Sequence, residues 1–446
     1  MHKNKSQATI QGLAFASQLL PAIIGLGSFM LLVRATNPVI LGEYIVYTTA
    51  VILFEMIKSG GLQSALVMRA STDDKDLQKT IIGSAYWLGG LISLSISVVL
   101  ILLFFIGIFS KQPGVQIFCG WYAILGIVTL PLHIAEAEAV AKQDLKFLLL
   151  LRISQSANAL IIAFYAFFRE GSLEEFATVH LVFNFCLMVF VLIAKKTNPL
   201  NIRFKTMTEV KSLFNLIKYT LATLATTNVL KSADTFLIGS VMGPASVAQY
   251  AIPLKLTELF EIPLRSLSTT AFPQLAAKHN ENDYNGFKKT LVQYLSWSYL
   301  LYIPGLVFAF ILAPYLVLII GGKQYADTAP IFRVFVFFGF LLPINRMTGI
   351  CLDAIQKPNK NFYKVLVMAV INIIADLIAI YLTHDLVWVA FASVVNAIIG
   401  ATLGWWMLDN TGLLKGGNVL SEILEYSKDF IAKLSNSFKK NKTTLD

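Results

Sequence analysis

The chain has 446 residues, 56% of them hydrophobic and only 14% charged, with a mean hydropathy of +0.67. That leaves too little polar surface for a soluble globule of this size and places the chain in a bilayer. Its net charge of +10 is then better explained by attraction to anionic lipid than by nucleic-acid binding, and three cysteines at unrelated spacings, Cys119, Cys186 and Cys351, exclude a disulfide framework and a paired-cysteine metal site.

A helix needs about 20 apolar residues to cross a hydrocarbon core. Twelve segments of that kind follow one another, at 12–33, 40–62, 81–109, 115–138, 147–168, 173–194, 215–239, 245–270, 290–320, 328–351, 362–383 and 386–408. The first is too long for a signal-peptide core, lacks a small-residue cleavage site and is followed at once by another span, so it is read as a helix. Lysine and arginine in the short loops set the orientation. One side of this topology carries 25 of them, from Lys3 and Lys5 to the six lysines after residue 409, and the other only four, Arg34, Lys111, Arg169 and Lys323. The split alternates at every loop, which predicts an even number of spans and both termini in the cytoplasm.

The spans form two copies of one unit. NPVILGEYIVYTTAVILFE (37–55) pairs with GPASVAQYAIPLKLTELFE (243–261), matching Pro38 with Pro244, Tyr44 with Tyr250, and Leu53, Phe54 and Glu55 with Leu259, Phe260 and Glu261. EAVAKQDLKF (138–147) pairs in turn with DAIQKPNKNF (353–362), each after a Leu-Pro pair. The pairing predicts an N-terminal six-helix lobe at 1–194, a basic interfacial linker at 195–214, a C-terminal six-helix lobe at 215–408 and a cytoplasmic tail at 409–446. In the tail, Val419, Leu420, Ile423, Phe430, Ile431 and Leu434 recur at helical spacing opposite lysines. That is the pattern of an amphipathic helix on the inner leaflet, followed by a disordered end at 439–446.

Ionisable residues interrupt the apolar segments. A charge at mid-bilayer costs at least about 2.5 kcal/mol unless it faces a partner or a wet cavity. Lys255, Glu258, Glu261 and Arg265 share one face of the eighth span, and Glu55 and Lys58 lie one turn apart on the second. Two readings fit: ion pairs that satisfy each other near helix ends, or polar faces of repeat-related spans lining a central water-filled cavity, the second being preferred. Asn372 and Asp376 are four residues apart on the eleventh span and, with Asp234 on the seventh, offer three oxygens to a coupling ion, sodium or a proton. Asp234 paired with Lys231, one turn earlier, is the alternative. Arg152 is expected to snorkel to the interface, Glu136 and Glu138 to be solvated, and His133 to be a satisfied core histidine.

No nucleophile elbow, zinc-binding helix motif or phosphate-binding loop is present. The outer loops are too short for a catalytic domain. The sequence therefore predicts a secondary transporter, neither an enzyme nor an ATP-driven pump.

Three stretches carry a family resemblance: GPASVAQY (243–250), GGKQYADTAPIFRVF (321–335), and the pair AVAKQDLKF with AIQKPNKNF. In their order and spacing the chain resembles the polysaccharide and O-antigen flippases of the multidrug/oligosaccharidyl-lipid/polysaccharide exporter superfamily. The resemblance implies an all-α integral membrane fold of 12 transmembrane helices, two six-helix lobes in an inverted V around a central cavity, and alternating access. It implies as cargo a polyprenyl-diphosphate-linked oligosaccharide, and as further partners membrane lipids and polysaccharide polymerase machinery in a bacterial plasma membrane. On this scheme Lys58, Lys255 and Arg265 attract the diphosphate while Glu55, Glu258 and Glu261 hold those bases when the site is empty. Asp234, Asn372 and Asp376 match the sodium-site pattern of the lipid II flippase, with Ser393 or Asn396 contributing from the last span. No cofactor is expected beyond sodium or a proton. The cluster of arginines on the first helix of that flippase is absent, where this chain has Ser17 and Gln18, which argues against lipid II as cargo. The competing expectation is a cation-coupled multidrug exporter of the same superfamily, whose cavity would be acidic.

Overall fold

A computed structural model describes residues 2–70, 74–169, 171–414 and 419–442. Among them there is no strand, and the chain order is α1 (His2–Ala35), α2 (Pro38–Ala70), α3 (Lys75–Ile106), α4 (Pro113–Val128), α5 (Leu130–Ala141), α6 (Leu145–Phe168), α7 (Leu173–Ile193), α8 (Met207–Val241), α9 (Pro244–Asn280), α10 (Tyr284–Ile311), α11 (Ala313–Gly321), α12 (Ala329–Ala354), α13 (Pro358–Thr383), α14 (Leu386–Asp409) and α15 (Val419–Lys442), with 3₁₀ turns at Pro199–Phe204 and Lys323–Thr328. Each of the twelve expected segments is helical. Among the described residues eight helices are long and apolar enough to cross a membrane, or nine if the bent pair α4 and α5 is one span. α9 is not among them, since it carries the four ionisable groups at 255, 258, 261 and 265 within eleven residues.

Helix starts follow from local chemistry. Asp74 caps α3 by accepting the amides of Asp76 (2.9 Å) and Leu77 (3.2 Å). Ser172 and Glu175 form a reciprocal capping box at α7. Asp144 caps α6, and the Lys196 ammonium 2.9 Å away, with the Phe147 amide, holds its carboxyl below the usual range. Two expected spans are broken. The segment at 115–138 bends by 45° between α4 and α5, because Pro131 has no N–H to continue the ladder. The segment at 290–320 is divided between α10 and α11.

The chain forms two compact units, Met1–Ala251 with Ile320–Gly322, and Ile252–Ile319 with Lys323–Asp446. The division falls within α9. In the first unit α2 packs along α8, and α1 along α6. Its core gathers Tyr47, Leu100, Phe118, Tyr122 and Leu125 on one side and Leu66, Ile81, Ile134 and Leu213 on another. The outward face of α3 leaves Leu94, Val98, Val99, Leu102 and Phe105 exposed, a run of apolar side chains suited to acyl chains and costly in water.

The linker is tied down. Its 3₁₀ turn lies on α3 where Gly83 leaves room: a Cβ there would sit 2.0 Å from the Asn201 carbonyl oxygen. Thr197 bonds Tyr86 (2.9 Å) and Glu138 (2.7 Å), and the Lys205 ammonium lies over the Trp87 ring. Glu138, expected to be solvated, is buried by these contacts. Leu200, Phe204 and Met207 remain exposed beside the basic residues.

In the second unit α12 packs on α14 and α13 on α14. The approach is close: a Cβ on Gly404 would meet Thr348 Oγ1 at 2.3 Å and one on Gly400 would meet Met368 Sδ at 2.4 Å. The start of α15, the helix expected on the inner leaflet, docks on α10. Glu422 binds the Lys288 ammonium at 2.5 Å, the Ile423 carbonyl accepts from Ser296 at 3.2 Å, and Val419 and Ile423 are buried. The physical reason is that Lys288, at the buried base of α10, needs a carboxylate. α15 continues to Lys442, so residues 439–442 of the expected disordered end are helical, and residues 443–446 lie outside the described residues.

Candidate functional site

The break between α4 and α5 organises a polar site inside the first unit. Lys58, 2% exposed, points from α2 into this break and donates to the Gly126 carbonyl (2.8 Å), Thr129 Oγ1 (2.8 Å) and Glu55 Oε1 (2.7 Å). These are all three protons that an ammonium has. Glu55 accepts a further bond from Thr129 (3.0 Å) on Oε1 and is hydrogen-bonded through Oε2 to His133 Nε2. One turn along α5, Glu136 is bonded to Arg152 of α6 at 2.9 Å. Arg152 thus pairs with a carboxylate rather than snorkelling, and Glu136 has a base for a partner rather than water alone.

Beside these pairs lies a cavity of about 320 Å³. Glu55, His133 and Glu136 face it from α2 and α5, Gln155 and Asn158 from α6, and His180 and Asn184 from α7, with Val51, Leu125 and Leu132 as its apolar wall. His180 Nδ1 bonds the hydroxyl of the buried Tyr47 at 3.2 Å, and Asn184 donates to the His180 carbonyl at 2.9 Å. The Asn158 side-chain amide oxygen, Oδ1, is buried with no hydrogen-bond partner.

Sequence reasoning put Glu55 and Lys58 on a cavity shared with the eighth span and gave Lys58 a ligand. With its three protons spent and its side chain fully buried, Lys58 is instead the residue that holds Glu55 and the α4–α5 break in place. His133 is satisfied, as expected, yet it also faces a cavity. Asn158, His180 and Asn184 were missed. Their spacing was a usable signal, since polar residues recur one turn apart at 155 and 158 and at 180 and 184 inside otherwise apolar spans.

The other candidates lie elsewhere. Lys255, Glu258, Glu261 and Arg265 belong to the part of α9 that falls in the second unit. Lys255 pairs with Glu258 and Arg265 with Glu261, both at 2.7 Å, and the Arg265 side chain is 61% exposed. Pro253, Pro263 and Pro273 interrupt the same helix. Asp234, in the first unit, accepts a hydrogen bond from the buried Tyr250 hydroxyl at 2.7 Å, which gives the tyrosine of GPASVAQY its role. Asn372 and Asp376, in the second unit, come together as their spacing implied: Asn372 donates to Asp376 Oδ2 at 2.7 Å and accepts from Asn396 of α14 at 3.0 Å. All three are buried, as is Ser393.

The family model described as "Polysaccharide biosynthesis protein" matches residues 31–330. Among curated proteins, the chain is 20% identical over 193 residues to a probable low-salt glycan biosynthesis flippase, Agl15, of Haloferax volcanii; the match spans 43% of this chain and only 41% of that protein. Among solved structures, an inward-facing multidrug-resistance MATE transporter of the MOP superfamily aligns at a TM-score of 0.72 and 13% identity, covering 91% of this chain and 100% of that one. The lipid II flippase MurJ, in an inward closed conformation, aligns at 0.70 and 17%, covering 96% and 92%. At such identities the likeness is one of fold.

Proposed function

The chain belongs to the polysaccharide biosynthesis protein family, and from that premise we propose that it is a flippase of the MOP superfamily whose cargo is a polyprenyl-diphosphate-linked oligosaccharide. It carries the cargo from the inner to the outer leaflet of a bacterial plasma membrane by alternating access, with both termini in the cytoplasm, and delivers it to polymerase machinery. The observation that carries this reading is the family match across 300 residues, 31 to 330.

The chemistry of α9 supports it. Lys255 and Arg265 each sit one turn from a carboxylate, so neither is an uncompensated charge when the site is empty. An arriving diphosphate competes with that carboxylate for the base, and bidentate phosphate geometry favours arginine. Ten residues of helix separate the two bases by ~15 Å, so they serve as successive stations for one diphosphate rather than as one clamp. Glu258 and Glu261 retake the bases once it has passed. For coupling, we assign the cation to Asn372 and Asp376 of the second unit, with Asn396 orienting Asn372; sodium and a proton are the two candidates.

The competing reading, a cation-coupled multidrug exporter, has the fold likeness to the MATE transporter in its favour. Against it stands charge balance, since Glu55, Glu136, Glu258 and Glu261 each have a lysine or arginine partner, whereas a pocket for organic cations needs acids left over. Replacing Lys255 and Arg265 together by Gln separates the two. Loss of surface polysaccharide at normal protein level, with unchanged resistance to cationic dyes, is the expected result. Intact polysaccharide with altered dye resistance would sink the flippase reading.

A further inference from the structure

We propose that the cavity between α2, α5, α6 and α7 of the first unit is a subsite for one uncharged sugar residue of the cargo, a reading that rests on the flippase assignment above.

Charge decides the ligand class. Among the described residues no lysine or arginine lines this cavity, and the two that stand behind its wall, Lys58 and Arg152, are bonded to Glu55 and Glu136. A diphosphate therefore finds no base there. An organic cation finds no surplus acid, because both carboxylates already have a cationic partner. What remains is neutral hydrogen-bonding capacity: the amides of Gln155, Asn158 and Asn184, and the His180 ring, whose Nδ1 is committed to Tyr47 and whose other nitrogen is left for a ligand. Hydroxyl groups, each a donor and an acceptor, match that set.

A second observation points the same way. Asn158 is 9% exposed, faces the cavity, and its side-chain oxygen is buried without a hydrogen-bond partner. A buried acceptor left unsatisfied costs ~1–3 kcal/mol, a cost that a ligand hydroxyl removes. The volume of about 320 Å³ is at the small end of ligand pockets, the size for a single ring rather than a chain. The apolar wall of Val51, Leu125 and Leu132 suits the C–H face of that ring.

The test is direct binding, with purified full-length protein in a sugar-free detergent such as lauryldimethylamine oxide. Saturation-transfer NMR is run against an equimolar mixture of the methyl glycosides of glucose, galactose, mannose and N-acetylglucosamine. At least one glycoside is expected to show transfer, reduced about fivefold or more in Asn158→Leu, the loss of one hydrogen bond, with Asn184→Leu as a second, independently folding check. No transfer to any glycoside, or equal transfer in wild type and both variants, overturns the proposal and leaves the cavity to water. In proteoliposomes, the ratio of flipping rates for a polyprenyl diphosphate bearing one sugar and for the bare polyprenyl diphosphate should fall about fivefold in Asn158→Leu; an unchanged ratio also overturns the subsite. If the wild type flips neither probe yet glycoside binding still depends on Asn158, the flippase reading has failed and the sugar subsite stands.

Discussion

Removing the Lys58 ammonium is the sharpest test of how the polar site is built. Lys58→Met keeps the volume of the stem but leaves Glu55 as a buried carboxylate without its cation, and strips the Gly126 carbonyl and Thr129 of a donor. Breaking a buried ion pair by deleting one partner costs ~3–5 kcal/mol. For a unit of 251 residues plus a short return segment, each kcal/mol corresponds to roughly 2–4 °C, so a loss of about 6–12 °C in melting temperature is the minimum expected. Replacing both partners at once, Glu55→Gln with Lys58→Met, leaves no unpaired charge and should recover at least half of that loss, because paired substitution of a buried ion pair is often close to neutral. The assay is a four-corner cycle of thermal unfolding in detergent, followed by intrinsic fluorescence. If Lys58→Met melts with the wild type yet abolishes transport, Lys58 meets the cargo directly and its place as an internal strut is refuted. The same follows if the double variant is no more stable than Lys58→Met alone.

Gly83→Ala places a methyl against the Asn201 carbonyl, an overpacking worth ~1–3 kcal/mol. Trypsin cleavage at Arg203 and Lys205 should accelerate, and an unchanged rate would show that the linker yields without cost. Tyr250→Phe removes the donor to Asp234 and should cost ~1.5–3 kcal/mol, the range for a bond to a charged acceptor, read as a lower melting temperature; no change would take Tyr250 out of that role. The Asp144 carboxyl is held below its usual range by Lys196. Its contribution is therefore present above the unfolded value near ~3.9 and is lost as pH falls below it. With both side chains about two-fifths exposed, the effect stays under ~1 kcal/mol. Asp144→Asn, which keeps the cap, should flatten the change in melting temperature between pH 6 and pH 3.5.

Much of the fold was legible because a bilayer writes its constraint into composition. Runs of about 20 apolar residues mark helices wherever they occur, and all twelve runs in this chain are helical. The i,i+3 and i,i+4 pairs were legible for a similar reason: Lys255 with Glu258, Arg265 with Glu261, and Asn372 with Asp376 are neighbours by helix geometry alone. Composition failed where a helix had to break. Pro131 lay inside a segment read as one unbroken span, and nothing in the sequence said that Lys58, 68 residues before Gly126, would reach that carbonyl.

The sequence by itself determined the membrane class, the helical content and the pairs one turn apart on α9 and α13, since each depends on local spacing or on apolar runs. Only the tertiary structure decided which buried groups pair between helices, Arg152 with Glu136 as ions and His133 with Glu55 through a hydrogen bond, and hence that Lys58 faces inward and that α2, α5, α6 and α7 line a polar cavity of balanced charge. The physical reason is range. Helix formation and membrane partition are settled within one turn or one span, whereas the fate of a buried charge depends on what residues far away in the chain bring within 3 Å of it.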